Sequence, residues 1–132
     1  MKKVLAVMSD LFFSAKINDE AKKLGMTAVF VKDKAVALEQ LKSNPAVVIF
    51  DLNCASADPL GLIGTMKHNP ETDAVPAIGF ISHVQTELKQ KALDAGCDSV
   101  VPRSVFAQNL PAMLKDAVEN ARFTPRPVSE AD

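Results

Sequence analysis

A parallel α/β sheet covered by helices on both faces is predicted by two features of the sequence. Short β-rich runs alternate five times with longer segments whose apolar residues recur at helical spacing. The β-rich runs are also near-continuously apolar, as expected for strands buried on both sides, rather than alternating as in a half-exposed sheet. The third run, "AVVIFDLN", is the clearest case, and it ends by delivering a carboxylate, Asp51.

The elements follow in order. The first strand is read over Lys3–Val7, and the first helix carries Phe13, Ile17, Ala21 and Leu24, with Ser9 or Asp10 as N-cap and Gly25 at its stop. A second strand, Met26–Val31, precedes a helix near Asp33–Lys42 that carries Ala35, Leu38 and Leu41. The third strand, Ala46–Asp51, leads to "DPLGLIGTMK", where Asp58 suits the N-cap and Pro59 the first helical position. Strand four, Ala77–Ile81, is followed by a helix over Thr86–Ala95 that buries Leu88, Ala92 and Ala95 and stops at Gly96. After a short strand at Ser99–Val101, the last helix carries Leu110, Met113, Leu114, Ala117 and Ala121. Asn109 and Pro111 mark its start, and Ser104–Gln108 forms a separate turn. The final "FTPRPVSEAD" has two prolines and no period, so residues 123–132 read as a loose tail to a domain over 1–122.

A chain of 132 residues buries roughly 65–70% of its unfolded surface, enough for a core without staples. Two cysteines, Cys54 and Cys97, offer no disulfide framework and fit a reducing cytosol. The basic start "MKKVLAVMSD" lacks a cleavage-site pattern, and no apolar run approaches a membrane span, so a cytoplasmic protein with no membrane partner is expected. A net charge of −1 and the absence of Trp and Tyr argue against nucleic acid as a partner.

Ligands of open α/β sheets bind beyond the carboxyl ends of the strands. In a 2-1-3-4-5 strand order those positions are Met8-Ser9-Asp10, Asp51, Ile81-Ser82-His83 and Arg103. A dinucleotide site needs glycines after strand one, and "VMSDLFF" has none; no GxxxxGK[ST] loop occurs either. There is no GxSxG, and Ser82 and His83 are sequence neighbours whose side chains diverge in extended chain, so no nucleophile–base pair is expected. Cys54, Cys97, His68 and His83 lack paired ligand spacing; Cys97 reads as a small core residue and Cys54 as a loop residue. Asp51 by itself is equally consistent with a carboxylate that caps its own loop.

Four stretches taken together, "KVLAVMSD", "AVVIFDLN", "DPLGLIGTMKHNPETDAVPAIGFISH" and "LDAGCDSVVPRS", resemble the receiver domain of two-component response regulators over residues 3 to about 122. The resemblance implies a flavodoxin-like (βα)5 three-layer sandwich with Asp51 as phosphoacceptor. It implies Mg2+ held by an acidic pair after strand one, by the acceptor and by the carbonyl of Asn53. A hydroxyl after strand four and a lysine after strand five would contact the phosphoryl group. The sequence departs from this pattern. Met8 and Ser9 stand where the acidic pair belongs, Asp10 is the one nearby carboxylate, Ile81 replaces the hydroxyl with Ser82 one residue late, and Arg103 replaces the lysine. The proline after that lysine is Ser104, and the switch aromatic maps to Val100.

The resemblance therefore implies a stand-alone, degenerate receiver that is not an enzyme and works by binding a protein, a histidine kinase or a downstream signalling protein. It would be a monomer or weak homodimer, with impaired or absent phosphotransfer. Its pocket would comprise Ser9, Asp10, Asn53, Ile81, Ser82 and Arg103, and its partner face Val100, Phe106 and Leu110. No cofactor is expected, with Asp51, Asn53 and Asp10 as weak Mg2+ ligands if the site is active. Without a metal, a direct Asp51–Arg103 pair is expected, because arginine's flat fork suits a carboxylate. The alternatives are a competent phosphoacceptor using Asp51, and, from another class, a small flavodoxin-like ligand-binding protein or enzyme.

Overall fold

The two apolar layers that flank the sheet are set by strand alternation, since successive side chains leave a strand on opposite faces. In the computed structural model, which describes residues 2–82 and 84–119, the elements are β1 (Lys3–Val7), α1 (Leu11–Lys23), β2 (Thr27–Val31), α2 (Lys34–Leu41), β3 (Val47–Asp51), a 3-10 turn at Ala55–Ala57, α3 (Pro59–Lys67), β4 (Ala77–Ile81), α4 (Thr86–Ala95), β5 (Ser99–Pro102) and α5 (Arg103–Glu119). The sheet is parallel throughout, in the order β2-β1-β3-β4-β5. This is the fold class and strand order read from the sequence. No helix among the described residues is long and apolar enough to cross a membrane. The tail expected over 123–132, Ala121 and His83 lie outside the described residues.

One layer packs Leu5, Val7, Val48, Phe50 and Ile81 against α2, α3 and α4 through Leu41, Leu62, Ile63, Met66 and Ala92. The other packs Val4, Ala6, Met8, Val47, Ile49, Ile78 and Phe80 against α1 and α5 through Phe13, Ile17, Ala21, Phe106, Leu110 and Leu114. β3 is buried at every position, Asp51 included.

Two sequence expectations are corrected here. The last helix is continuous from Arg103 to Glu119 and contains Pro111, so Ser104–Gln108 is its first part and not a separate turn. Phe106, Leu110, Leu114 and Ala117 form one inward stripe on α5, and burying that stripe outweighs the hydrogen bond that Pro111 cannot donate. The same stripe withdraws Phe106 and Leu110 from the surface, and Val100 is buried in the opposite layer, so the partner face expected at Val100, Phe106 and Leu110 is core. Cys54 lies in the loop after β3 as expected, with its side chain packed into the α2–α4 layer. Cys97 is core as expected. Burial, with smaller effects from its neighbours, pushes its thiol up to about 12.

The end of the sheet remote from Asp51 is tied by Lys67. Its Nζ donates to the carbonyls of Asp73 (3.1 Å) and Val75 (2.8 Å) and to Asp98 Oδ2 (2.8 Å), which also accepts from Ala77 N (2.8 Å). The ammonium's three donors are thus matched by three acceptors, and one ion pair joins α3, the start of β4 and the turn before β5. Gly96, at φ +112°, closes α4 directly over this stem, where a Cβ would come within 2.9 Å of Lys67 Cγ. Nearer the Asp51 end, Asp58 takes a left-handed conformation (φ 50°) to cap α3, and Lys34 Nζ lies 2.8 Å from its Oδ2. The Lys34 hydrogen bond, then that from Gly61 N, holds this carboxyl below its usual range.

Two stability outcomes follow. Lys67→Met leaves Asp98 half-satisfied and is expected to lower unfolding stability by about 2–3 kcal/mol, read by urea titration. Pro111→Ala restores a helical donor and is expected to raise stability by about 1–2 kcal/mol in the same assay, after allowing for the looser unfolded chain.

Candidate functional site

Alternation along β3 sends Val47, Ile49 and then Asp51 toward the α1–α5 side. Asp51 pairs in register with Phe80 on β4. On its other side, the residue after the Val7–Phe50 pair is Met8, which is buried and held by Met8 N to Val31 O at 2.9 Å. The carboxylate at the strand tip is therefore flanked by a thioether and a phenyl ring. It is 8% exposed. Its Oδ1 accepts from Asn53 N at 2.9 Å, the loop-capping bond anticipated as one reading of this residue. Its Oδ2 accepts nothing from the described residues and is open to solvent.

The expected Asp51–Arg103 pair does not form. Among the described residues Asp51 has no ion pair, and Arg103 pairs with Asp10 instead. Asp10 is the N-cap of α1: Oδ1 accepts from Phe13 N at 3.0 Å, which turns Oδ2 toward the Arg103 guanidinium. Arg103 is held there by more than charge. Its Cζ lies 4.8 Å from the centroid of Phe13 and 5.1 Å from that of Phe80. Those rings belong to a trio with Phe106, in which Phe13 meets Phe80 edge-on at 5.0 Å and Phe80 stacks on Phe106 at 4.8 Å. The aromatic shelf steers the fork to the α1 side, where the helix cap presents a carboxylate.

The other expected pocket residues are dispersed. Ser9 is exposed and Ile81 is buried in the α2–α4 layer, where it offers no polar group. Ser82 is exposed beyond the end of β4; Ile81 keeps its register with Pro102, so no slip carries the hydroxyl inward. Asn53 does reach the mouth, through a contact that the sequence reading did not include. Its side-chain amide and that of Gln85 exchange two hydrogen bonds, Nδ2 to Oε1 at 2.9 Å and Nε2 to Oδ1 at 2.8 Å. Gln85 Oε1 also accepts from Ser82 N at 2.9 Å. This amide clasp ties the loop after β3 to the loop after β4. The one hint of it in the sequence is a long amide directly before α4, at a position where a shorter capping side chain is usual.

The chain has the fold of response-regulator receivers. A response regulator from Hahella chejuensis superposes with a TM-score of 0.81 at 19% identity, covering 94% of this chain and 100% of that one. The chemotaxis response regulator CheY4 of Vibrio cholerae gives 0.75 at 18% identity, with 89% and 98% covered. The Mn2+-bound form of the response regulator Rcp1 gives 0.76 at 14% identity, with 96% and 100% covered. No protein-family model and no curated protein matches the sequence.

The residues of this chain at the carboxyl end of the strands do not suit a divalent ion. Among the described residues no three His, Cys, Asp or Glu side chains are grouped as a metal site. Met8 is apolar, both oxygens of Asp10 are engaged, and the carbonyl of Asn53 accepts from Ala55 N at 3.0 Å. A hard ion usually takes one or two carboxylates with water, and of the four carboxylate oxygens of Asp10 and Asp51 only Asp51 Oδ2 is uncommitted.

Arg103→Met removes the half-buried ion pair and both ring contacts. It is expected to cost about 1–3 kcal/mol in urea unfolding, whereas Arg103→Lys, which keeps the charge but not the flat stack, should lose less.

Proposed function

We propose that this chain is a receiver-type signalling module of a two-component or phosphorelay pathway that acts by protein contact, with phosphotransfer to Asp51 impaired or absent. One observation carries the reading: Arg103, the cation directly after β5, is committed to Asp10, and among the described residues Asp51 has no positive partner. Phosphoryl transfer to a carboxylate brings two anions together. It is driven by positioning and by cations that neutralise the transferred oxygens. Here the neighbours of Asp51 are Met8 and Phe80, and neither lowers that repulsion.

The partner would be a histidine kinase or a downstream signalling protein in the cytosol. Protein contact is supported by apolar surface displaced from the face first expected. Leu11 is 85% and Phe12 72% exposed on the first turn of α1, beside the Asp10 cap, and Val84 is 80% exposed in the loop after β4.

A second reading, a competent phosphoacceptor, is favoured by the open Oδ2 of Asp51. A single experiment separates the two. The protein is incubated with a small-molecule phosphodonor and Mg2+, and its intact mass is measured. The expected result is no phosphoryl adduct. An adduct that disappears in Asp51→Asn would overturn the proposal in favour of the second reading.

A further inference from the structure

We infer that Arg103 is the permanent cation of this pocket and that its pairing with Asp10 keeps divalent ions out. The inference deepens the proposed function and rests on the receiver-type reading of the pocket.

Two carboxylates stand near the ends of β1 and β3, Asp10 and Asp51, and like charges at one site repel unless a cation intervenes. At Asp10 that cation is covalently attached, the Arg103 guanidinium, and Asp51 is left with its backbone donor alone. The guanidinium is anchored from three directions, by Asp10 Oδ2, by the Phe13 ring and by the Phe80 ring. Arginine suits this post because it stays protonated, is weakly hydrated and stacks on aromatic faces while its edge donates to a carboxylate. Asp10 is fixed from its other side by capping α1, so it cannot swing toward Asp51 without giving up the Phe13 N–H. An ion shared by both carboxylates would have to displace Arg103 from Asp10 Oδ2 or uncap the helix, and Asp51 alone offers it a single free oxygen. Both costs fall on contacts the protein makes within itself.

The test uses Mn2+ as a paramagnetic probe in backbone NMR of the full chain, with Mg2+ as a diamagnetic competitor. In the wild-type protein, Mn2+ is expected to produce no saturable, Mg2+-competed broadening of the amides of Asp10, Asp51 and Asn53. In Arg103→Met, which frees Asp10 Oδ2, such broadening is expected, with apparent affinity at least tenfold above the wild-type limit. Saturable broadening at these amides in the wild type would overturn the inference. Absence of broadening in a folded Arg103→Met would do so as well, since Arg103 would then not be what excludes the ion. Should Arg103→Met fail to fold, Arg103→Gln takes its place and is read by the same two outcomes. Phosphorylation is not read in this experiment. Wild-type metal binding without a phosphoryl adduct would therefore defeat this inference alone, and an adduct on Asp51 would defeat the proposed function.

Discussion

The period of two along a buried strand is the constraint on which the site depends. β3 lies at the centre of a sheet covered on both faces, so each of its side chains must enter one apolar layer or the other. Asp51 is the last in the series and leaves toward α1 and α5, where the adjoining positions of the neighbouring strands are Met8 and Phe80. A charge placed there keeps its solvation through its own loop and its one open oxygen. Burial is thus offset by a backbone donor and not by an ion pair, and the cation of the region is free to be taken elsewhere.

Arg103 goes where packing and charge agree. The ring trio of Phe13, Phe80 and Phe106 forms the floor of the α1–α5 layer, and the guanidinium lies over two of those rings while reaching the cap of α1. The same residues that close the core therefore set the electrostatics at its rim. Receivers of known structure share this backbone at 14–19% identity, so the fold is retained with a largely different set of side chains.

Much of the architecture was legible because it is local. Helical spacing, the caps at Asp10 and Asp58, and the glycine at Gly96 marked elements that the structure places within a residue or two. The small shifts have local causes: Met26 starts no strand because its N–H closes the end of α1 on Ala21 O, and β5 runs on to Pro102 because that residue still pairs with Ile81. Pro111 misled the reading of α5, since a stop signal of some 3 kcal/mol is outweighed by a stripe of four buried side chains on one helix. The position of Asp51 was also legible, whereas the partner of Arg103 was not. Which of two nearby carboxylates an arginine chooses depends on where Phe13 and Phe80, far apart in sequence, place their rings. The Asn53–Gln85 contact is equally non-local.

That amide clasp has a consequence for how the mouth of the pocket responds to its surroundings. A pair of primary amides exchanging two hydrogen bonds carries no net charge and does not titrate. Salt that would screen Asp10 and Arg103 leaves it untouched, and so does any pH at which the protein stays folded. The loop after β4, which carries the exposed Val84, is accordingly set in place by a joint that ignores the ionic state of the pocket beneath it.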